Sequence, residues 1–148
     1  MAGGKGFGRD VITTSIVHHR IHQGTFYSVA AIDQAVATSG FLSILLRVPS
    51  GACHIRFSNN VSGDAIASIY EAPTTTADGT SLVAVNRNRF STRVAGCLFF
   101  QTPTITDKGA LLEPIFLPGG SGGSASGSRN AGFEEWLLKP ADYLIEIQ

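Results

Sequence analysis

The sequence predicts an all-β protein: a single-domain, jelly-roll-like β-sandwich with an extended, glycine-rich N-terminal arm. Three observations lead there. Short segments rich in Val, Ile, Thr, Tyr and Phe alternate with clusters of Gly, Ser, Pro, Asn and Asp, which is the pattern of strands and turns. A helical period is confined to two short stretches, "IDQAVAT" (32–38) and "EEWLLK" (134–139), the second stopped by Pro140. Finally, 148 residues suit one domain, and a chain of that size buries roughly 70% of its unfolded surface without help from a metal or disulfide.

Residues 1–12 read as the arm and 13–148 as the sandwich. The first ten residues hold four glycines, two basic residues and almost nothing to bury, so the arm is expected to order only on contact with something else. Strands are expected at 11–17, 25–31, 40–48, 52–57, 65–70, 81–86, 92–100, 111–117 and 142–147. In the last of these Tyr143, Ile145 and Ile147 share one face. Between the strands a sentence is written twice: "EAPTTTADGT" (71–80) returns as "QTPTITDKGA" (101–110). Pro73/Pro103, Thr74/Thr104, Thr76/Thr106 and Gly79/Gly109 coincide, an aromatic precedes each copy and a leucine follows. Proline leaves a ladder and glycine takes a positive φ, so the repeat is expected to form two reversals at one end of the sandwich. "NRNRF" (86–90) and the loop 118–132 are expected at the opposite end, gathering Arg87, Arg89 and Arg129, with Arg93 nearby.

Charge and motifs narrow the function. Eleven basic residues balance eleven acidic ones, whereas nucleic-acid binders carry a basic excess; no nucleic acid is expected as partner. No apolar run reaches the eighteen or so residues of a membrane span, and no signal peptide opens the chain. Synthesis in the cytoplasm is expected. Eight of the basic residues are arginine, the cation enriched at protein interfaces. Cys53 and Cys97 lie in apolar stretches and read as buried free thiols, a single disulfide being the alternative.

Catalytic constellations are poorly supported. "GGSGG" (119–123) fits a nucleophile elbow around Ser121, but all four histidines precede it. A His54, Asp64/Asp78/Asp107, Ser121 order is formally available, yet too little chain follows Ser121 to build a substrate pocket. "GSGGSA" (120–125) lacks the βαβ context of a dinucleotide site. His18 and His22 share a face but need further ligands. Glu134 and Glu135 beside Trp136 are adjacent and so point apart on a strand. No enzyme activity, cofactor or metal is expected.

The order of signatures is informative in itself. "IHQGTFY" (21–27), "IYEAPTTTADGTSL" (69–82), "NRNRFST" (86–92), "PTITDKGALL" (103–112), "LPGG" (117–120) and "EEWLLKPADYLIEI" (134–147) follow one another. This arrangement, over residues 21–147, resembles a family of small head-associated proteins of tailed bacteriophages, similar in kind to the jelly-roll cement or decoration proteins. The resemblance implies a structural virion protein on the capsid exterior that binds the major capsid protein, staples the shell and acts as a homodimer or homotrimer. The contact residues expected on this reading are Lys5, Phe7 and Arg9 in the arm and Arg87, Arg89 and Arg129 at the arginine-rich end. The competing expectation is a tail-tip module binding host glycan through an aromatic platform of Trp136, Tyr70 and Phe90. A serine protease on Ser121 is the third.

Overall fold

The computed structural model describes residues 15–32, 40–61, 63–118, 127–129 and 135–148. The expected arm, the first helical stretch (32–38) except for Ile32, and Ser121 lie outside these residues. The described chain is all-β with one short helix, α1 (Ile16–His22). Its centre is a six-stranded antiparallel sheet. Across the sheet run β11 (Ala110–Leu117), β5 (Ala65–Glu71), β14 (Ala141–Ile147), β2 (Leu42–Val48), β9 (Leu98–Gln101) and β7 (Thr80–Leu82). Two-stranded sheets complete the architecture. They are β3 (Cys53–Ile55) with β13 (Trp136–Leu138), and β4 (Asn59–Val61) with β12 (Gly127–Arg129). The others are β1 (Tyr27–Ser28) with β8 (Val85–Asn86), and β6 (Thr74–Ala77) with β10 (Thr104–Asp107).

Strand alternation decides which side chains meet. On one face of the large sheet Tyr143, Ile145, Leu46, Val48, Ala67, Ile69 and Leu117 form the core, and Cys53, Ile55, Phe57, Val61, Trp136 and Leu138 pack over them. Burying each of the large apolar side chains contributes about 2 kcal/mol. Leu45 and Leu144 point to the other face and are also fully buried, on the side where residues following β6 and β10 reach back to the sheet. Asp78, following β6, clasps Arg47 at 2.9 Å, and Lys108, following β10, reaches Glu146 at 2.6 Å.

The repeat accounts for the β6–β10 ribbon. Each copy holds a short strand, and the two strands pair antiparallel with each other, the Thr74 and Thr106 hydroxyls 2.8 Å apart. Each copy then enters the large sheet beside the other: Thr80 pairs with Gln101, and Ala110 with Glu71. The glycines make the crossing fit. At Gly79 (φ +92°) an added Cβ would sit 2.3 Å from the Gln101 carbonyl oxygen, and at Gly109 (φ +79°) 2.2 Å from that of Glu71. Ala72 (φ 59°) and Thr102 (φ 54°) are held in left-handed conformations before their prolines. Their N–H groups donate to Asp142 and Ser43 respectively. The whole sheet therefore follows a two-fold pattern about the β14–β2 pair, in which Arg47 corresponds to Glu146 and Asp78 to Lys108. The ion pairs are equivalent with their signs exchanged.

Three expectations need correction. The strand expected at 11–17 is replaced from Ile16 by helix α1, because Ser15 acts as N-cap, its hydroxyl accepting from His18 N at 3.2 Å. The helical turn expected at 134–139 is strand β13. Trp136 and Leu138 face the core while Leu137 is exposed, and the segment pairs with β3. The long strand expected at 92–100 begins at Leu98, since residues 91–95 belong to a loop tied to the helix end. Pro114 is accommodated because β11 is an edge strand: Ile66 exchanges hydrogen bonds with Gln148, so its register partners Phe116 and, two residues on, Pro114 turn their backbone groups outward.

Candidate docking interface

Two of the quoted signatures, "IHQGTFY" and "NRNRFST", meet to form one surface lobe. Helix α1 ends in a Schellman motif: Thr25 N donates to Arg20 O at 3.1 Å and Gly24 N to Ile21 O at 2.9 Å, with Gly24 at φ +67°. Gly24 also lies so close to Ser91 that an added Cβ would fall 2.2 Å from its hydroxyl. The buried side chain of Asn86 joins the two segments. Its Nδ2 donates to Gly24 O (3.0 Å) and Arg93 O (3.1 Å), while its Oδ1 accepts from Asn88 N (2.9 Å). Asn88 repeats the device, donating to His22 O (3.0 Å) and accepting from Phe90 N (3.1 Å). Arg87 N donates to Phe26 O at 2.9 Å, and the Tyr27 hydroxyl bonds Val94 O at 2.9 Å.

Alternate residues therefore have alternate tasks. Asn86 and Asn88 hold the loop, and Arg87 and Arg89 are left exposed by it, as is Arg93. Within this loop Phe90 is completely exposed (101%), and Val94 (86%) and Val83 (78%) are exposed as well. Beside it opens a shallow groove of about 400 Å³, lined in part by Val85, Arg89, Val94 and Leu98. Chemically this is a preorganised patch of one aromatic ring, several branched side chains and three guanidinium groups.

The expected contact residues fare differently. Arg87 and Arg89 are brought together with Arg93 in this loop. Arg129 lies in β12, where its backbone pairs with Asn59. Lys5, Phe7 and Arg9 lie outside the described residues. Phe90 stands in the lobe apart from its expected aromatic partners: Trp136 packs on the core and Tyr70 lies beneath the Lys108 ammonium, 5.6 Å from the ring centre. The role of Val83, Val94 and the two asparagines was not singled out in the sequence, although the alternation N-R-N-R carried a signal. Asparagine bonding to the backbone two residues on is a turn device, and it leaves the intervening residues facing outward.

Other candidate groups have structural partners. His54 Nε2 lies 3.5 Å from Glu135, and Asp78 is held by Arg47. Asp107 accepts from Gly109 N at 2.7 Å. The His18 and His22 rings do share a helix face, 4.5 Å apart, but among the described residues no three His, Cys, Asp or Glu side chains gather as a metal site. Cys53 and Cys97 are free thiols packed at the core. Burial, followed by hydrogen bonding to Cys97, pushes the Cys53 thiol up to about 12, the opposite of what a nucleophilic cysteine requires. Compared with protein-family models, with curated proteins and with solved structures, the chain finds no match.

Proposed function

We propose that the chain is a capsid cement or decoration subunit, a non-enzymatic virion protein. It binds the major capsid protein on the head exterior as a homodimer or homotrimer and stabilises the shell. The observation that carries the reading is the loop 86–94: a network of hydrogen bonds holds a fully exposed Phe90 among three exposed arginines. An exposed ring adds nothing to the stability of the free chain. Aromatic and arginine side chains on a rigid frame are the groups that dominate protein–protein binding, because little entropy is lost when they dock. The order of sequence signatures supports the same reading. So does the overall neutrality of the chain, which limits long-range repulsion among many copies on one shell. Repetition over a lattice then makes a modest affinity per site sufficient.

The test uses phage heads assembled without this chain. Adding the purified protein is expected to raise the temperature at which the heads release their DNA, and the Phe90→Ala protein is expected to fail to do so. Heads equally heat-resistant with and without the protein would contradict the proposal.

A further inference from the structure

The described residues of the lobe, 15–32 and 83–94, differ in charge from the rest of the chain. They contain Arg20, Arg87, Arg89 and Arg93 and neither aspartate nor glutamate, a formal +4 with histidines neutral, in a chain whose total is zero. Among the described residues, Glu71, Asp78, Asp142 and Glu146 are instead paired with cations of the central sheet, the ribbon or the loop before β14. The lobe arginines have no carboxylate within ion-pair distance among the described residues. Positive charge is thus concentrated where Phe90, Val83 and Val94 stand exposed.

We infer that this lobe docks on a carboxylate-lined protein surface containing an apolar socket for the Phe90 ring. The inference rests on the cement reading and specifies the chemistry of the partner. Two alternatives fit less well. A phosphate backbone would engage the arginines but offer no socket to Phe90 or the valines. A second copy meeting this one through the same lobe would bring +4 against +4, and like charges set face to face are repulsive.

The test compares the full-length protein with Phe90→Ala and with a triple variant, Arg87→Glu, Arg89→Glu and Arg93→Glu, each checked for unaltered unfolding. The milder pair Arg87→Gln and Arg89→Gln serves if the triple variant fails to fold. The probes are heads assembled without the chain and a short DNA duplex, each at low and high NaCl. The wild type is expected to bind heads. Phe90→Ala should weaken binding about 30-fold at either salt. The charge reversal should weaken it at least about tenfold at low salt, the gap narrowing at high salt. If wild type and variants bind heads equally, the lobe assignment is overturned while the cement reading stands. Tighter, arginine-dependent binding to the duplex would overturn the protein-surface assignment. Self-association that disappears on Phe90→Ala would assign the lobe to a second copy instead. Binding to neither probe would remove both the cement reading and this inference.

Discussion

Asn86 and Arg87 are neighbours with opposite fates. Asn86 is 9% exposed and three backbone groups depend on it. Replacing it with Ala strands those groups, and an unsatisfied buried polar group costs about 1–3 kcal/mol. Asn86→Ala should therefore lower the unfolding free energy by an amount within that range, read as a lower denaturation midpoint. Arg87→Ala should leave the midpoint unchanged, since that side chain is exposed and its role is carried out elsewhere. Cys53 allows a chemical check on packing. Its thiol pKa is raised to about 12 from an ordinary value of 9.0, so the folded protein keeps it protonated where the unfolded chain would ionise. The associated stability is complete below pH 9 and lost as pH rises toward 12. At neutral pH iodoacetamide should label the half-buried Cys53 of the native protein more slowly than in the unfolded chain, because its thiol stays protonated. Labelling as fast as in the unfolded chain would contradict this.

The twice-written segment was readable as shape, though not as the shape it takes. Proline, threonine and glycine at matching positions marked two reversals. Nothing local to either copy reveals that each is completed by the other, because pairing across thirty residues is set by register and not by propensity. The reciprocal fit makes Gly79 and Gly109 equivalent. Alanine at either should destabilise by about 3 kcal/mol or more, from positive φ and collision with the opposite copy's backbone, measurable as nearly equal shifts in denaturant midpoint. The exchanged ion pairs predict opposite pH limits. Hydrogen bonding to Arg47 holds Asp78 below its ordinary value of 3.8, so its contribution is present above that pH and is lost as pH falls through the depressed value. Hydrogen bonding to Glu146 raises Lys108 above 10.5, so its contribution is present below that pH and is lost as pH rises through the elevated value. Asp78→Asn should flatten the acid limb of the stability profile, and Lys108→Met the alkaline limb. Lys108→Met should also cost more at neutral pH, about 2 kcal/mol after allowing for the lysine's exposure, because Glu146 is left buried and charged. Arg47 retains Asp142 when Asp78 is lost.

At the scale of the whole molecule, the sequence made the β class and the strongest strands legible. β2, β5, β11 and β14 fall close to where alternation and apolar runs placed them, since all four are anchored in the large sheet. The helix at Ile16 was missed because a capping serine outweighed a β-branched run. Strand β13 was missed because six residues followed by a proline suit a helical turn as well as a pairing strand. The arginines of the lobe were visible in the sequence, and Phe90 was too, as one ring of a glycan platform with Trp136 and Tyr70; the hydrogen-bonded frame that sets it beside the arginines instead was not. A molecule with a satisfied body, a rigid positive lobe and a fully exposed ring is built to be held by something else. The most direct measurement is the copy number of this chain in purified phage particles by quantitative mass spectrometry. The account predicts many copies per head, in a fixed ratio to the major capsid protein. Absence from the particles, or a handful of copies confined to the tail, would contradict it.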